Sequence, residues 1–172
     1  GTVAADSHME LPVDTRTFEQ IREKDLEVFA RMTGIVNAIM PAHILYSEVD
    51  SLSAGFSTYW LQQVLRKDLN FNGIIFSDDL TMLATESSGE IEQRAQLALD
   101  AGCEMILVCN NTSSALRTAD FLEAVNLKKN ERLEQMVGRG FCELNNLYKS
   151  ERWQKVSKII TEFSSQGELS ND

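Results

Sequence analysis

The sequence predicts an α/β fold in which helices cover a small parallel sheet. The first observation is the order of the elements, because helix-like and strand-like segments alternate strictly between Thr17 and about residue 126. The second is a set of short apolar runs with the composition of buried parallel strands, which lie at residues 35–40, 73–77 and 105–109. The third is that each run ends in polar residues, and α/β folds place their chemistry at such strand ends.

Length, charge and hydropathy limit the classes of protein to consider. The chain has 172 residues, of which 43% are hydrophobic and 24% charged, as in one soluble globular domain. Its net charge of −10 disfavours binding to a phosphate backbone, so we expect no nucleic-acid partner. No apolar run approaches the ~20 residues that cross a bilayer, so we expect no membrane partner. The cysteines, which we interpret below as reduced, indicate a reducing compartment, and we expect a cytoplasmic location.

The cysteines and histidines predict neither a metal site nor another cofactor. Cys103, Cys109 and Cys142 are an odd number of cysteines, and we interpret all three as reduced, buried side chains. The only two histidines are far apart in the sequence and do not combine with these cysteines into a ligand pattern.

The first half of the chain supplies two of the predicted strands. Residues 1–16 contain Pro12 and no periodicity, which predicts a loop. A capping box at Thr17-Phe18-Glu19-Gln20 begins a helix with apolar residues at helical spacing as far as Met32. The strand at 35–40 ends before Pro41, and a loop at 47–57 precedes a helix with Leu61 and Leu65 on one face.

The second half continues the alternation and then changes. A helix after the second strand ends at Gly102, and another with Leu116 and Leu122 follows the third strand. Apolar spacing from Leu133 to Tyr148 predicts one long amphipathic helix, and Trp153 to Phe163 predicts a second. Residues 164–172 are polar and are predicted to be disordered. Three aromatic residues on apolar helical faces are interpreted as core, namely Tyr59, Trp60 and Trp153.

Two adjacent carboxylates close the second strand. Asp78 and Asp79 directly follow the apolar run Gly73–Phe76 and Ser77. One interpretation is that an aspartate here caps the next helix, as Asp often does. The other is that it performs chemistry at the strand end. The strand pattern alone leaves both interpretations open.

A second candidate group lies near the N-terminus, where Asp6 stands two residues before His8. An aspartate at this spacing can hold a ring nitrogen and fix the tautomer, which suits a proton-transfer group. The alternative is an ordinary solvated histidine or a cloning remnant, because Ser7-His8-Met9 is a common one.

The other two strand ends offer further polar groups. His43 follows the first strand, where it could donate a hydrogen bond to a substrate or cap a loop carbonyl. Asn110 follows the third strand. A rim of polar residues above apolar strands is typical of a binding site, and we expect Met40, His43 and Asn110 to contact the substrate.

These residues occur in motifs that resemble those of a known family. The motifs, in order, are Asp6-Ser7-His8, Ile39-Met40-Pro41-Ala42-His43, residues 73–82 and residues 101–110. The chain is similar to the bacterial β-N-acetylglucosaminidases (β-hexosaminidases) of glycoside hydrolase family 3, which are single-domain (β/α)8 barrels of peptidoglycan recycling. The resemblance runs from Gly1 to about Asn126 and continues more weakly beyond it.

The resemblance implies an activity and a role for each motif. The enzyme would remove terminal non-reducing β-N-acetylglucosamine from N-acetylglucosaminyl-anhydromuramyl peptides by a retaining mechanism. The nucleophile would be Asp78, the acid/base would be His8 paired with Asp6, and Asp79 would cap or brace the loop.

The resemblance also implies which part of the barrel is present. The family has a Lys-His-Phe-Pro-Gly-His-Gly segment ahead of the Asp-Ser-His motif, and this chain begins at the final glycine of that segment. We therefore expect residues 1–126 to be the C-terminal part of a TIM barrel (about three strands and flanking helices), and 127–163 to be two C-terminal helices of the same domain. The alternative to an active enzyme is an inactive truncated fragment that folds partially or pairs with another chain. Open sheet edges predict self-association.

Overall fold

The protein is described here by a computed structural model. The structure describes residues 3, 5–125, 127, 130–138 and 143–167, without the side chains of Gln135 and 165–167. The chain forms two compact units, Gly1–Met136 and Val137–Asp172, and each unit is described by itself. The division of the family domain at residue 126 stays a prediction.

The first unit contains an α/β arrangement with parallel strands. Its described strands are β1 (Val13–Asp14), β2 (Ala38–Ile39), β3 (Leu45–Tyr46), β4 (Ile74–Asp79) and β5 (Met105–Leu107). Three of them form one sheet in the order β2-β4-β5, and both pairings are parallel. The three predicted strands and their parallel pairing are therefore confirmed.

A second, two-stranded sheet was not predicted. β1 pairs in parallel with β3, with Val13 opposite Leu45. The interpretation of residues 1–16 as loop was therefore wrong at Val13–Asp14. The physical reason is that each of these strands has only two residues, so no period-2 pattern can develop.

The capping box begins a helix, as predicted. The Thr17 side chain accepts from the Gln20 backbone, and the Gln20 side chain accepts from the Thr17 backbone. The helix comprises α1 (Phe18–Ile21), a wider π-helical segment (Arg22–Leu26) and α2 (Glu27–Met32). Ile21 is its buried residue, and it packs in a cluster with Trp60 and Val64.

The remaining helices of the first unit cover the sheet. They are a 3-10 turn at Ala54–Phe56, a π-helix at Tyr59–Asp68, a 3-10 segment at Leu83–Ser88, α3 (Ile91–Ala101), α4 (Thr112–Val125) and a 3-10 segment at Glu131–Met136. α3 ends at Gly102, whose φ of 109° is the left-handed conformation that favours glycine. The core below the site combines strand residues with small residues of α3, including Phe71, Ile75, Leu80, Ala95 and Ala98.

A buried ion pair holds the ends of β4 and β5 that lie opposite the polar rim. The Arg66 Nη2 atom lies 2.8 Å from both carboxylate oxygens of Glu104. Arg66 Nη1 donates to the Phe71 and Gly73 carbonyls, and Glu104 accepts from the Ile75 backbone at 2.7 Å. This network fixes the entry of β4 into the sheet.

The second unit contains α5 (Leu144–Lys149) and α6 (Glu151–Gly167). The predicted second helix is confirmed by α6, which continues past Ser164 to Gly167, while residues 168–172 of the predicted tail lie outside the described residues. The prediction of one helix from Leu133 to Tyr148 was wrong, because Val137 and Gly138 are not helical. Glycine has a low helix propensity, which agrees with a break there.

The aromatic residues divide between core and surface. Trp60 is buried as predicted, whereas Tyr59 and Trp153 are exposed, so their assignment to the core was wrong. No helix among the described residues is both long enough and apolar enough to span a bilayer.

Candidate active site

Asp78 lies near the carboxyl end of β4, where the sequence placed it. Its side chain is half-buried, and its Oδ1 accepts from the backbone N–H of Asp79 at 2.8 Å. That local bond uses one oxygen and orients the carboxylate. The second oxygen has no hydrogen-bond donor within the described residues, so it remains able to react with a substrate.

Asp79 has different surroundings, although it is the next residue. Both of its carboxylate oxygens lie 2.8 Å from the Thr81 hydroxyl, and Oδ1 also accepts from the Thr81 backbone at 3.0 Å. The Cys109 backbone N–H donates to the same Oδ1 at 3.0 Å. Asp79 therefore ties the loop after β4 to the loop after β5, which confirms the expectation that it braces the loop.

The segment after Asp79 is held by further bonds to buried side chains. The Thr85 hydroxyl contacts the Leu80 and Met82 carbonyls at 2.9 and 2.7 Å. Arg94 on α3 donates to the Leu80 carbonyl at 2.9 Å and lies 3.1 Å from the Thr85 hydroxyl. These bonds give the strand end a defined shape.

The Asp6–His8 pair is formed as the spacing predicts. The Asp6 Oδ1 atom lies 2.9 Å from His8 Nδ1 and also accepts from the His8 backbone N–H at 2.9 Å. The backbone and side-chain bonds from His8 lower the pKa of Asp6. Both side chains are exposed, so the ring is free to meet a substrate.

One backbone hydrogen bond joins the two motifs. The Ala84 N–H donates to the Ser7 carbonyl at 3.3 Å, which pins the centre of the Asp6-Ser7-His8 turn to the segment after Asp78 and Asp79. The Asp6–His8 turn therefore contacts the segment that follows β4. No sequence signal could have indicated this contact, because both partners are backbone atoms.

His43 is at the strand end but not at the surface. Its side chain is fully buried, at 0% exposure, so the described chain leaves no ring nitrogen for direct contact with a substrate. The ring is covered by Gly55 and Phe56 of the loop that follows β3. The role of His43, as a hydrogen-bond donor to a substrate or as a cap of a loop carbonyl, stays a prediction.

The other two predicted contacts are accessible. Met40 is 47% exposed next to the end of β2. Asn110 is exposed after β5 and has a φ of 56°, a left-handed conformation that Asn tolerates better than most residues. Asn111 accepts from the Ser114 backbone at 2.9 Å and so caps α4. Contact of Met40 and Asn110 with a substrate stays a prediction.

The cysteines differ in depth. Cys103 is buried, and burial raises the pKa of its thiol to about 12, so it is an inert core residue. Cys109 is only half-buried, which corrects its assignment to the core, and Cys142 lies outside the described residues. Within the part of the chain that the structure describes, no three His, Cys, Asp or Glu side chains gather as metal ligands would.

An apolar cavity of about 460 Å³ lies between the N-terminal helix and the segment that follows β2. It is enclosed by α1, the π-helical segment after it, α2, the helix at Tyr59–Asp68 and the segment after β2. Its lining includes Met40 and Trp60 but none of the residues of the two acidic motifs. Asp6, His8 and Asp78 therefore do not line this cavity, whereas the predicted substrate contact Met40 does.

Residues 1–140 match the family described as Glycosyl hydrolase family 3 N terminal domain. The β-hexosaminidase of Idiomarina loihiensis is 44% identical over 162 residues, which are 93% of this chain and 49% of the relative. The β-hexosaminidase of Pseudomonas aeruginosa is 44% identical over 161 residues, 93% of this chain and 48% of that protein. The chain thus spans about half the length of the curated relatives that it matches.

Solved structures of glycosidases are also similar to this chain. NagZ from Neisseria gonorrhoeae, in complex with N-trifluoroacetyl-D-glucosamine, is 34% identical with a TM-score of 0.74, over 93% of this chain and 46% of that one. A glycoside hydrolase family 3 β-N-acetylglucosaminidase from a Paenibacillus species is 28% identical with a TM-score of 0.68, over 80% of this chain and 27% of that one.

Proposed function

The chain belongs to glycosyl hydrolase family 3, and we propose that it supplies the nucleophile and the acid/base pair of an exo-acting β-N-acetylglucosaminidase. The observation that carries the proposal is the hydrogen bond from Ala84 to Ser7, which joins the Asp6–His8 turn to the segment after Asp78. A retaining glycosidase needs a nucleophile and an acid/base. We propose the Asp78 carboxylate for the first role and the His8 imidazole for the second.

In the proposed mechanism, the free oxygen of Asp78 attacks the anomeric carbon while the bond to the leaving oxygen breaks. His8, as an imidazolium, donates its Nε2 proton to that oxygen, while Asp6 holds the ring through its Nδ1 atom. A glycosyl–enzyme ester results. In the second step His8 takes a proton from water, the water attacks the anomeric carbon, and the Asp78 carboxylate is released.

The hydrogen bonds of Asp79 explain why we assign the nucleophile to Asp78 and not to Asp79. Its three hydrogen-bond donors hold it in the loop, so it is not available as a second nucleophile. The most common arrangement in retaining enzymes has two carboxyl groups, and here the Asp–His pair takes the part of the second one.

We also propose a substrate class, a barrel architecture and a cytoplasmic location for the enzyme. The substrate class is muropeptide fragments with a terminal non-reducing β-N-acetylglucosamine, which are consumed during cell-wall recycling in the cytoplasm. The first unit is proposed to be the C-terminal part of a (β/α)8 barrel, with Met40 and Asn110 near the sugar. The similarity to NagZ, whose structure contains N-trifluoroacetyl-D-glucosamine, supports an N-acetylated sugar.

A second candidate is that this chain has no activity alone and acts as an inactive fragment or pairs with another chain. The observation that favours it is the match to about half of each curated relative. About 250 residues are usual for a complete barrel of this kind.

Hydrolysis of a chromogenic N-acetyl-β-glucosaminide separates the two candidates. It is measured on the chain alone and on a chimaera in which this chain replaces the segment that it matches in a β-hexosaminidase. We expect turnover by the chimaera and its loss in Asp78→Asn, while the exposed control Asp120→Asn remains active. Turnover by the chain alone would exclude the inactive fragment. A folded chimaera without turnover, or an active Asp78→Asn chimaera, would contradict the proposed function.

A further inference from the structure

The segment Leu80–Gly89 lies between β4 and α3 and carries the Ala84 N–H, which donates to the Ser7 carbonyl at 3.3 Å. Its regular part is the 3-10 segment at Leu83–Ser88. A 3-10 helix has poorer hydrogen-bond geometry than an α-helix and rarely runs beyond about 3–4 residues. The position of the Ala84 N–H therefore depends on the groups that hold this segment from outside.

Arg94 on α3 holds this segment at both of its ends. Its Nη1 atom donates to the Leu80 carbonyl at 2.9 Å, and its Nε atom donates to the Gly89 carbonyl at 2.7 Å. Leu80 is fully buried, and Gly89 closes the 3-10 segment with a φ of 96°. One guanidinium therefore bridges the two ends, as the rigid fork of arginine donors allows.

The Thr85 hydroxyl holds the middle of the segment. Thr85 is fully buried, and its hydroxyl accepts from Arg94 Nη1 at 3.1 Å and lies 2.7 Å from the Met82 carbonyl. Because Thr85 directly follows Ala84, these bonds fix the backbone that donates to Ser7.

The Asp6-Ser7-His8 turn has one such attachment within the described residues. Its other backbone bonds are internal, from the Met9 and Glu10 N–H groups to the Asp6 carbonyl. The Asp6 and His8 side chains are exposed and bond to each other. The place of the turn relative to the segment after β4 therefore depends on the Ala84–Ser7 bond.

The candidate nucleophile is held independently of this segment. Asp78 belongs to β4, which is the central strand between β2 and β5. Asp79, the next residue, is tied to the backbone of Cys109. A change in the segment Leu80–Gly89 can therefore move the Asp6–His8 turn while the strand end keeps its place.

We propose that Arg94 is a positioning residue for the acid/base pair, because it fixes the segment whose Ala84 N–H holds the Asp6–His8 turn. This inference rests on the proposed role of His8 as the acid/base. A misplacement of about 1 Å can slow an enzymatic reaction by about 10²-fold. Loss of the Arg94 side chain should therefore impair proton transfer by His8 more than attack by Asp78.

The first test compares leaving groups in the chimaera by kcat/KM, which reports on formation of the glycosyl–enzyme. Arg94→Ala should lower kcat/KM by about 10–100-fold for a poor leaving group, which needs protonation, and by less than about threefold for a very good one. Arg94→Lys keeps the charge without the fork and should lie between wild type and Arg94→Ala. The matched control is Arg117→Ala, which removes an arginine that pairs with Glu90 and Glu92 at the start of α3 and should lower neither value.

The second test measures amide hydrogen exchange on the chain itself and needs no turnover. The Ala84 N–H should exchange about tenfold faster in Arg94→Ala than in wild type. The Glu104 N–H, which donates to the Ile75 carbonyl at 2.8 Å near the start of β4, reports on the stability of the sheet and should change less. Arg117→Ala should leave exchange at Ala84 unchanged.

Equal losses of kcat/KM for both leaving groups in Arg94→Ala would show a purely structural role and overturn the proposal, as would unchanged exchange at Ala84. If Arg94→Ala does not fold, both comparisons are made with Arg94→Lys, and the same two results would overturn the proposal. A chimaera without turnover, in a protein whose Ala84 exchange responds to Arg94, would support the link from Arg94 to the turn and contradict the proposed function. The two failures are therefore distinguishable.

Discussion

At the scale of single residues, two adjacent aspartates differ because of the backbone that surrounds them. Asp78 accepts one local bond and keeps an oxygen without a donor, whereas Asp79 is tied to Thr81 and Cys109. The pairing of β4 with β5 is irregular between Phe76 and Asp79, and the difference lies in which donors each carboxylate meets. One carboxylate can therefore serve the rim while the other holds two loops together.

The bracing role of Asp79 predicts a loss of stability. Asp79→Ala leaves the Cys109 and Thr81 backbone donors without their acceptor, at a cost of about 1–3 kcal/mol in the free energy of unfolding. Urea unfolding measures it. The exposed control Asp120→Ala should change stability by less than about 0.5 kcal/mol. Equal stabilities of the two variants would contradict a bracing role.

The role of His8 predicts a rate effect that depends on the leaving group. In the chimaera, His8→Ala should slow hydrolysis of a poor leaving group by about 10²–10⁴-fold, because general acid–base help has that size. A very good leaving group needs little protonation, so its first step should suffer least, and azide should partly restore turnover. Asp6→Ala should be milder, because Asp6 only orients the ring. Near-full activity of His8→Ala on the poor leaving group would exclude this role.

The sequence indicated which residues are candidates for the site but not how deeply each side chain is buried. The two-residue spacing predicted the Asp6–His8 contact, because a turn of that length brings a carboxylate to the ring. It could not predict that His43 is buried, because the covering loop with Gly55 and Phe56 follows β3 and is placed by tertiary packing. The contact between Ala84 and Ser7 was missed for the same reason, since the two residues are distant in the sequence.

At the scale of elements, the buried ion pair between Arg66 and Glu104 connects the helix at Tyr59–Asp68 with β5. The side chains are 12% and 9% exposed, and burial lowers the pKa of Arg66 while Glu104 opposes the decrease. Arg132 adds a second bond to Glu104 at 2.7 Å. The pair therefore fixes the end of the sheet that lies opposite the rim.

Removal of the Glu104 carboxylate should lower the free energy of unfolding. Glu104→Ala leaves the Arg66 guanidinium with only its two carbonyl acceptors and no carboxylate in a largely buried position, and breaking a buried ion pair typically costs about 3–5 kcal/mol in the free energy of unfolding. The matched control is Glu27→Ala, which removes an exposed ion pair with Arg31 and should cost less than about 1 kcal/mol. Chemical denaturation of both variants makes the comparison. Similar losses would show that burial does not set the strength of the pair.

The elements that the sequence predicted well are those whose own composition defines them. The apolar runs that became β2, β4 and β5 are buried by sheet and helices, so their composition reports their environment. The short pair β1 and β3 is defined only by its partner, because its bonds run between Pro12 and Leu45 and between Asp14 and Ser47. Helical spacing from Leu133 to Tyr148 failed because periodicity does not report a break at a glycine.

At the scale of the whole molecule, the described surface carries many large apolar side chains. In the three-stranded sheet β2 and β5 each have one hydrogen-bonded strand neighbour within the described residues. Ile35, just before β2, is 72% exposed, and Met105 in β5 is 37% exposed. Exposed edges with apolar side chains favour association.

We therefore expect the isolated chain to self-associate. The sedimentation coefficient should rise with protein concentration, and Ile35→Lys should reduce the rise by placing a charge beside the edge strand. The control is Met9→Lys, which has a similar exposure of 71% but lies in the Asp6 turn. A monodisperse monomer with a sharp cooperative thermal transition would be inconsistent with this expectation.

The central claim, that Asp78 is the nucleophile of a retaining glycosidase, is tested most directly by trapping the covalent intermediate. The chimaera is incubated with a fluorosugar that forms a slowly hydrolysed glycosyl–enzyme, and the labelled peptide is identified by mass spectrometry. We expect one sugar per chain, attached to Asp78 and absent from Asp78→Asn, with Asp79 unlabelled. A sugar on any residue other than Asp78 would contradict it.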